Sequence, residues 1–249
     1  MSAGRSSEGG GSPHTPDPGH PWPSLLQGIL VRRYKRFLAD VRLRNGRVVT
    51  AHCPNSGSMR TCSEPGRPVY LSSSDNPRRK LGYTWELIRM PSSLVGVNTQ
   101  VPNRLVADGA RHGVIPELDG YEQWRREVPY GRSSRIDLLM ERGPERCYVE
   151  VKNCTLLEGR AARFPDAVTT RGLKHLRELR DQVAAGHRGV IFFLIQRMDA
   201  ARFAPADRID PAYGEALRRV VEAGVEALAW DVEIDLERIR LRRSLPVVL

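Results

Sequence analysis

Only four of the 249 residues are cysteine, and no two of them stand as Cys-x-x-Cys. That spacing argues against a disulfide-dense secreted scaffold and against ribbon-type zinc frameworks, so Cys53, Cys62, Cys147 and Cys154 read as buried free thiols in a reducing cytosol. A zinc site drawing on His52, Cys53 and Cys62 is the lesser alternative. The chain also lacks an apolar run of the ~20 residues that a helical bilayer span requires. Residues 1–23 are rich in Gly, Ser and Pro and carry no apolar segment of the secretory-signal kind. They read as a disordered extension, with Pro21-Trp22-Pro23 at the edge of the fold. No segment has the helix-turn-helix pattern that reads bases in the major groove, so any nucleic-acid contact is expected to be non-specific. The expectation is a cytoplasmic protein without a membrane partner.

The chain has charge in abundance, with a formal net of +10. Between Ser24 and Met90 stand 13 Lys and Arg against 4 Asp and Glu, so nearly the whole excess lies in the front third. Such a balance points to an anionic partner, nucleic acid first. Two domains are expected, a basic one over residues 24–90 and a nearly neutral one over residues 91–249.

In the front part, Leu30 to Lys35, Phe37 to Arg44, Arg47 to Cys53, Val69 to Leu71 and Tyr83 to Ile88 read as strands. Asn45-Gly46 supplies the strongest hairpin signal. Five short strands joined by turn chemistry suggest an all-β barrel of the OB type. Arg32, Arg33, Lys35 and Arg36 flank Tyr34 and Phe37, while Arg78, Arg79 and Lys80 precede Tyr83 and Trp85. Basic residues interleaved with aromatics hold nucleic acid by phosphate neutralisation and base stacking. The same aromatics serve equally well as barrel core.

In the back part Asn98-Thr99-Gln100-Val101-Pro102 leads into a helix expected to run to about His112, with Pro102 near its first turn and Gly113 past its end. Asn103, early on it, reads as a cap or packing residue before a ligand. A strand follows at Gln123–Tyr130, then two apolar runs, Arg135–Met140 and Cys147–Lys152, joined by a Gly143-Pro144 turn as a β-hairpin. Side-chain alternation sets Asp137 opposite to Ile136 and Leu138, and puts Glu150 and Lys152 on one face. Two carboxylates converging beside an ammonium would grip Mg²⁺ or Mn²⁺ and stabilise charge developing on a phosphate. A solvated Glu-Lys pair is the plain alternative.

Asp166 reads as the N-cap of a helix reaching Ala184, with Val168, Leu173, Leu176, Leu179 and Val183 on its apolar stripe and Arg171, His175, Glu178 and Gln182 on its polar stripe. Gly189–Ile195 reads as a strand covered on both faces. A helix from Asp210 to Ala223 and strands at 225–232 and 239–243 complete the chain.

Helix, strand, strand, strand, helix, strand, with Asp137 on the second strand and Glu150-x-Lys152 on the third, resembles the αβββαβ core of the PD-(D/E)XK nuclease superfamily. Ile136 stands where the name has proline. A closer resemblance runs from about Leu26 onward. His52-Cys53-Pro54-Asn55-Ser56-Gly57-Ser58-Met59, Tyr130–Asp137, Val149–Leu156, Phe164–Ala167, Arg171–Leu176 and Asp210–Tyr213 resemble the sugar fermentation stimulation protein family. That resemblance implies an OB-like domain followed by a restriction-endonuclease-like domain with a mixed sheet flanked by helices, and DNA binding.

On this reading Asp137 and Glu150 hold the metal, and Lys152 orients water or stabilises the transition state. Glu127 adds a third carboxylate, or else pairs with Arg126 or Arg135. Arg171 and His175 either contact the scissile phosphate or form a solvated helix face. Arg132 and Arg135 bind phosphate or only neutralise the acids. The expected activity is metal-dependent phosphodiester hydrolysis on DNA. The alternatives are a non-catalytic DNA-binding regulator of sugar metabolism genes, or an RNA-directed binder or nuclease.

Overall fold

The computed structural model describes residues 19–131 and 134–249. Arg132 and the first 18 residues of the expected extension lie outside these.

The basic part is a barrel of β2 (Leu25–Tyr34), β3 (Leu38–Leu43), β4 (Val48–His52), β5 (Pro68–Ser73), β6 (Tyr83–Arg89) and β7 (Leu94–Gly96), ordered β4-β3-β2-β5-β6-β7. A bridge from His52 to Thr84 closes it. Gly46 at φ 82° makes the β3–β4 turn, with Asn45 Oδ1 accepting the Arg47 N–H. Leu30, Val41, Met59, Leu71 and Trp85 fill the interior. The barrel therefore runs past the expected limit at Met90, because β7 adds to β6.

The second part is built on a mixed seven-stranded sheet. Its strands are β1 (His20–Pro21), β8 (Gln123–Tyr130), β9 (Ser134–Arg142), β10 (Glu145–Cys154), β13 (Arg188–Ile195), β15 (Glu226–Ile234) and β16 (Arg238–Ser244). They lie in the order β1-β16-β15-β13-β10-β9-β8, with β10, β13 and β15 parallel. Helix α1 (Val101–Arg111) packs on one face, and α2 (Thr170–Ala184) and α3 (Pro211–Glu222) on the other. Along β10, Cys147, Val149 and Val151 enter the α1 core, whereas Tyr148 and Cys154 enter the α2 core.

Two expectations need correction, and one region adds strands that the sequence pattern does not announce. Residues 19–23 are not an extension: β1 pairs with β16, and Trp22 is buried with its indole N–H donating to the Asp235 carbonyl. A tryptophan carries enough apolar surface to be drawn into a core despite flanking prolines. The chain between β10 and α2 is itself structured. It forms β11 (Leu156–Glu158) and β12 (Ala161–Phe164), which join β14 (Arg202–Pro205) in a three-stranded sheet. Asp166 is not the cap of α2: Thr169 is, accepting the Gly172 N–H, and Asp166 Oδ2 instead accepts the Met59 N–H from the barrel side. The expectation for α3 holds, with Asp210 capping it through the Tyr213 N–H.

Candidate active site

The site forms where β9 and β10 separate. Their ladder ends at Leu138 and Val149, one position short of Asp137 and Glu150. Beyond that point the Val151 N–H donates to Asp137 Oδ2 at 2.7 Å, so a side chain takes the place of a strand partner. On the other side, β8 and β9 pair above and below Glu127 and Asp137 but not at them, and Glu127 adopts φ 53°. A positive φ at a non-glycine residue is uncommon and marks a locally forced backbone. The alternation slips here: Ile136 packs into the α2 core but Leu138 into the α1 core. Asp137 therefore does not face simply away from both neighbours, as strict alternation would require. It sits at the change of phase, within reach of both layers.

Asn103, in the first turn of α1, donates to Asp137 Oδ1 at 2.6 Å. The sequence pattern points only to a cap or packing role for Asn103, and no signal in it announces this contact with the acid. Burial, followed by the charge of Glu150, pushes the Asp137 carboxyl up to about 7, with the Val151 N–H and Lys152 opposing. Glu127 adds to the rise, but its side chain is exposed, and Arg135 reaches its carbonyl oxygen rather than its carboxylate.

Glu150 is 2% exposed. Its Oε1 accepts Lys152 Nζ at 2.6 Å and is also met by His175 Nδ1. Burial pushes this carboxyl up, yet the His175 hydrogen bond and the Lys152 charge outweigh it and hold the group below its ordinary range. Arg171 Nε donates to His175 Nε2 at 3.3 Å, which makes Nε2 the acceptor and assigns the ring proton to Nδ1, toward Glu150. Lys152 Nζ, 3.3 Å from Nδ1, is then a neighbour of the ring and not its donor. Arg171 and His175 are thus joined to the acids; His175 is buried where a solvated helix face would leave it exposed. Glu178, one turn on, is buried as well, while Val168, placed on the apolar stripe by periodicity, is exposed.

Glu150 Oε2 is buried with no hydrogen-bond partner among the described residues. Among those residues no three His, Cys, Asp or Glu side chains are grouped to hold a metal by themselves. A cation here would therefore draw on two carboxylates and complete its shell from water or substrate oxygen, which suits Mg²⁺.

The expected nucleic-acid contacts divide. Arg32 is paired with Asp40 at 2.8 Å and lies over the Tyr34 ring. Arg33 holds the Asn55–Ser58 loop through the carbonyls of Asn55, Gly57 and Ser58. Lys35 and Arg36 stand exposed on a left-handed turn. Arg78, Arg79 and Lys80 are exposed, with Arg79 reaching the Thr84 hydroxyl. Of the aromatics, Phe37 is exposed, whereas Trp85 is fully buried and serves the core. Cys53 and Cys62 line the barrel interior, where burial raises both thiols, Cys62 to about 12. No helix among the described residues is long and apolar enough to cross a membrane.

Residues 31–97 match the SfsA N-terminal OB domain, and residues 100–238 match the sugar fermentation stimulation protein RE domain. A sugar fermentation stimulation protein homolog of Geobacter sulfurreducens is 60% identical over 90% of this chain and 96% of its own length. A homolog of the same name from Acidithiobacillus ferrooxidans is 53% identical, covering 91% of this chain and 98% of its own. The solved structure of Pyrococcus furiosus SfsA in complex with Ca²⁺ superposes with a TM-score of 0.83 at 29% identity, over 91% of this chain and 96% of that one. On the strength of both domain matches and of relatives similar over nearly its whole length, the chain belongs to the sugar fermentation stimulation protein family.

Proposed function

We propose that this protein binds DNA without reading its sequence, and that Asp137, Glu150 and Lys152 form a divalent-metal-dependent site for phosphodiester hydrolysis, in a cytoplasmic setting. The observation that carries the reading is the orphaned Glu150 Oε2, an anionic lone pair buried beside a second carboxylate and an ammonium. Burying such an atom without a partner costs about 1–3 kcal/mol or more, and a cation offsets that cost. The Ca²⁺ complex of the Pyrococcus furiosus relative is consistent with an oxygen-donor site for a hard cation in this family.

Asp137 and Glu150 would hold Mg²⁺ or Mn²⁺. When bound, such a cation supplies positive charge at the phosphate and acidifies water. The remaining work belongs to the chain. Asn103 and the Val151 N–H orient Asp137. His175 fixes the Glu150 rotamer, and Arg171 fixes the ring. Lys152, 12% exposed at its side chain, orients the attacking water or steadies negative charge on the oxygens of the pentacoordinate transition state. Lys35, Arg36 and the Arg78–Lys80 triplet supply phosphate neutralisation on the barrel.

The second reading is occupancy alone, as a regulator of sugar metabolism genes. Its support is that both Asp137 oxygens already hold donors and that Lys152 is paired. Incubating purified protein with Mn²⁺ or Mg²⁺ and single- or double-stranded DNA or RNA separates the two. Cleavage that Asp137→Ala and Lys152→Ala abolish supports the enzyme, and equal cleavage by wild type and both variants removes it. Cleavage confined to RNA would move the substrate to that polymer.

A further inference from the structure

Between the two domains lies a cleft of about 570 Å³, within the ~300–1,000 Å³ range of sites that enclose small ligands. One wall is the barrel loop Asn55–Ser58 with Arg33 and Arg36; the other is the segment 164–169, and Thr99, Asn153 and Thr155 form its floor. Asn153 directly follows Lys152 on β10, so one strand carries both the cleft floor and part of the candidate active site. We propose that it is a subsite for one unpaired nucleotide of a polynucleotide strand, next to the phosphate to be cut. This deepens the function proposed above and rests on it for its substrate.

Four observations point the same way. The walls are held in place before any ligand arrives. Arg33 binds the loop through three backbone carbonyls, and Asp166 Oδ2 takes the Met59 N–H at 3.0 Å. A Cβ at Gly57 would lie 2.4 Å from that carboxylate, so only glycine permits the approach. Second, the positive charge is one-sided: Arg33 and the exposed Arg36 face the cleft from the barrel. Third, the first turn of α2 opens beside Thr169, placing the positive end of a 15-residue helix at the same space. Fourth, Ser58 Oγ is buried in the loop wall with no partner among the described residues.

Asp166 sets the polarity of the occupant. Its carboxylate, reaching from the 164–169 segment to the barrel loop, repels a second phosphate but accepts from a sugar hydroxyl or a base amino group. One phosphate toward Arg36 and one nucleoside toward Asp166 satisfy both walls. A paired base, locked in a stack with its edge covered, does not fit such a slot, so the strand must be unpaired there.

The test is fluorescence anisotropy in EDTA with short labelled oligothymidylate, oligouridylate and a blunt duplex. Ala167→Trp and Ser56→Trp fill the cleft from opposite walls at exposed positions, and Arg36→Glu reverses the charge. Each Trp variant is expected to lower the ratio of single-strand to duplex affinity about tenfold, the scale of one lost nucleotide contact. Arg36→Glu is expected to lower single-strand affinity by a similar factor. Ratios unchanged in both Trp variants, each melting like wild type, would overturn the proposal. Tighter binding of oligothymidylate assigns the slot to DNA and of oligouridylate to RNA, and either supports it. Because EDTA removes any metal-dependent cleavage, a failure of the hydrolytic reading leaves this measurement intact.

Discussion

Two groups converge on one carboxylate, and the division between its oxygens decides what each does. Oε1 of Glu150 accepts from Lys152 and His175, whereas Oε2 has no partner among the described residues. Replacing His175 by Ala removes the contact that aims this carboxylate, an outer partner whose loss typically costs 10–100-fold in metal affinity. Isothermal titration with Mn²⁺ should show about that weakening for His175→Ala, with His175→Gln recovering part of it. Asn103→Ala should lower cleavage about tenfold while leaving the thermal melt within about 1 kcal/mol of wild type, since it removes one hydrogen bond to Asp137. A melt that collapses together with activity would assign Asn103 to the fold instead.

At the scale of elements, the hairpin of β9 and β10 was legible because Gly143-Pro144 breaks two apolar runs, and the shared face of Glu150 and Lys152 followed from alternation alone. The position of Asp137 was not, because it depends on a change of phase in β9 opposite the left-handed backbone at Glu127, and no pattern of apolar residues announces that. His175 and Glu178 read as a polar stripe on α2, yet they are buried against β10 and the turn after β8, since a helix face is solvated only where nothing polar lies opposite. Asn103 was invisible for a related reason: α1 and β9 meet only once the sheet has closed.

The segment after β13 offers a stability test. Arg197, 3% exposed, pairs with Asp199 at 2.6 Å and donates to the Thr155 carbonyl, while Ser92 of the barrel reaches Asp199. Burial raises the Asp199 carboxyl, but the hydrogen bonds from Arg197 and Ser92 outweigh it and leave its folded value below the ordinary one. A depressed carboxylate contributes stability above its unfolded pKa of about 3.9 and loses it as pH falls through the lower folded value. Thermal melts from pH 6 downward should therefore fall more steeply below about pH 4 in wild type than in Asp199→Asn. Asp199→Ala, which strands a buried guanidinium, should cost about 3–5 kcal/mol at neutral pH.

Over the whole molecule, the charge asymmetry read from the sequence maps onto the barrel, so the basic excess and the acid cluster of Asp137 and Glu150 occupy different domains. Reversing Arg78, Arg79 and Lys80 together should flatten the salt dependence of DNA binding by up to about 0.9 per lost phosphate contact on duplex DNA. Filter binding across a salt series measures it, and an unchanged slope would move the binding surface elsewhere. The domain order was legible because turn chemistry and strand spacing differ between the halves. The seam was not, because it is sewn by scattered single residues: Tyr70, Leu87 and Leu94 of the barrel sit in the α1 core, and Gln196 joins Asn98 to Asn153.

That seam has a consequence for how the proposed strand would be admitted. Glu86, buried in the barrel, accepts from Ser72 and from Asn98 just ahead of α1, so the two bodies are stitched by groups that water cannot easily replace. Jaws fastened at their root this way keep a constant gape. Choosiness toward a polymer would then come from what can bend to enter, and the work of distortion falls on the guest.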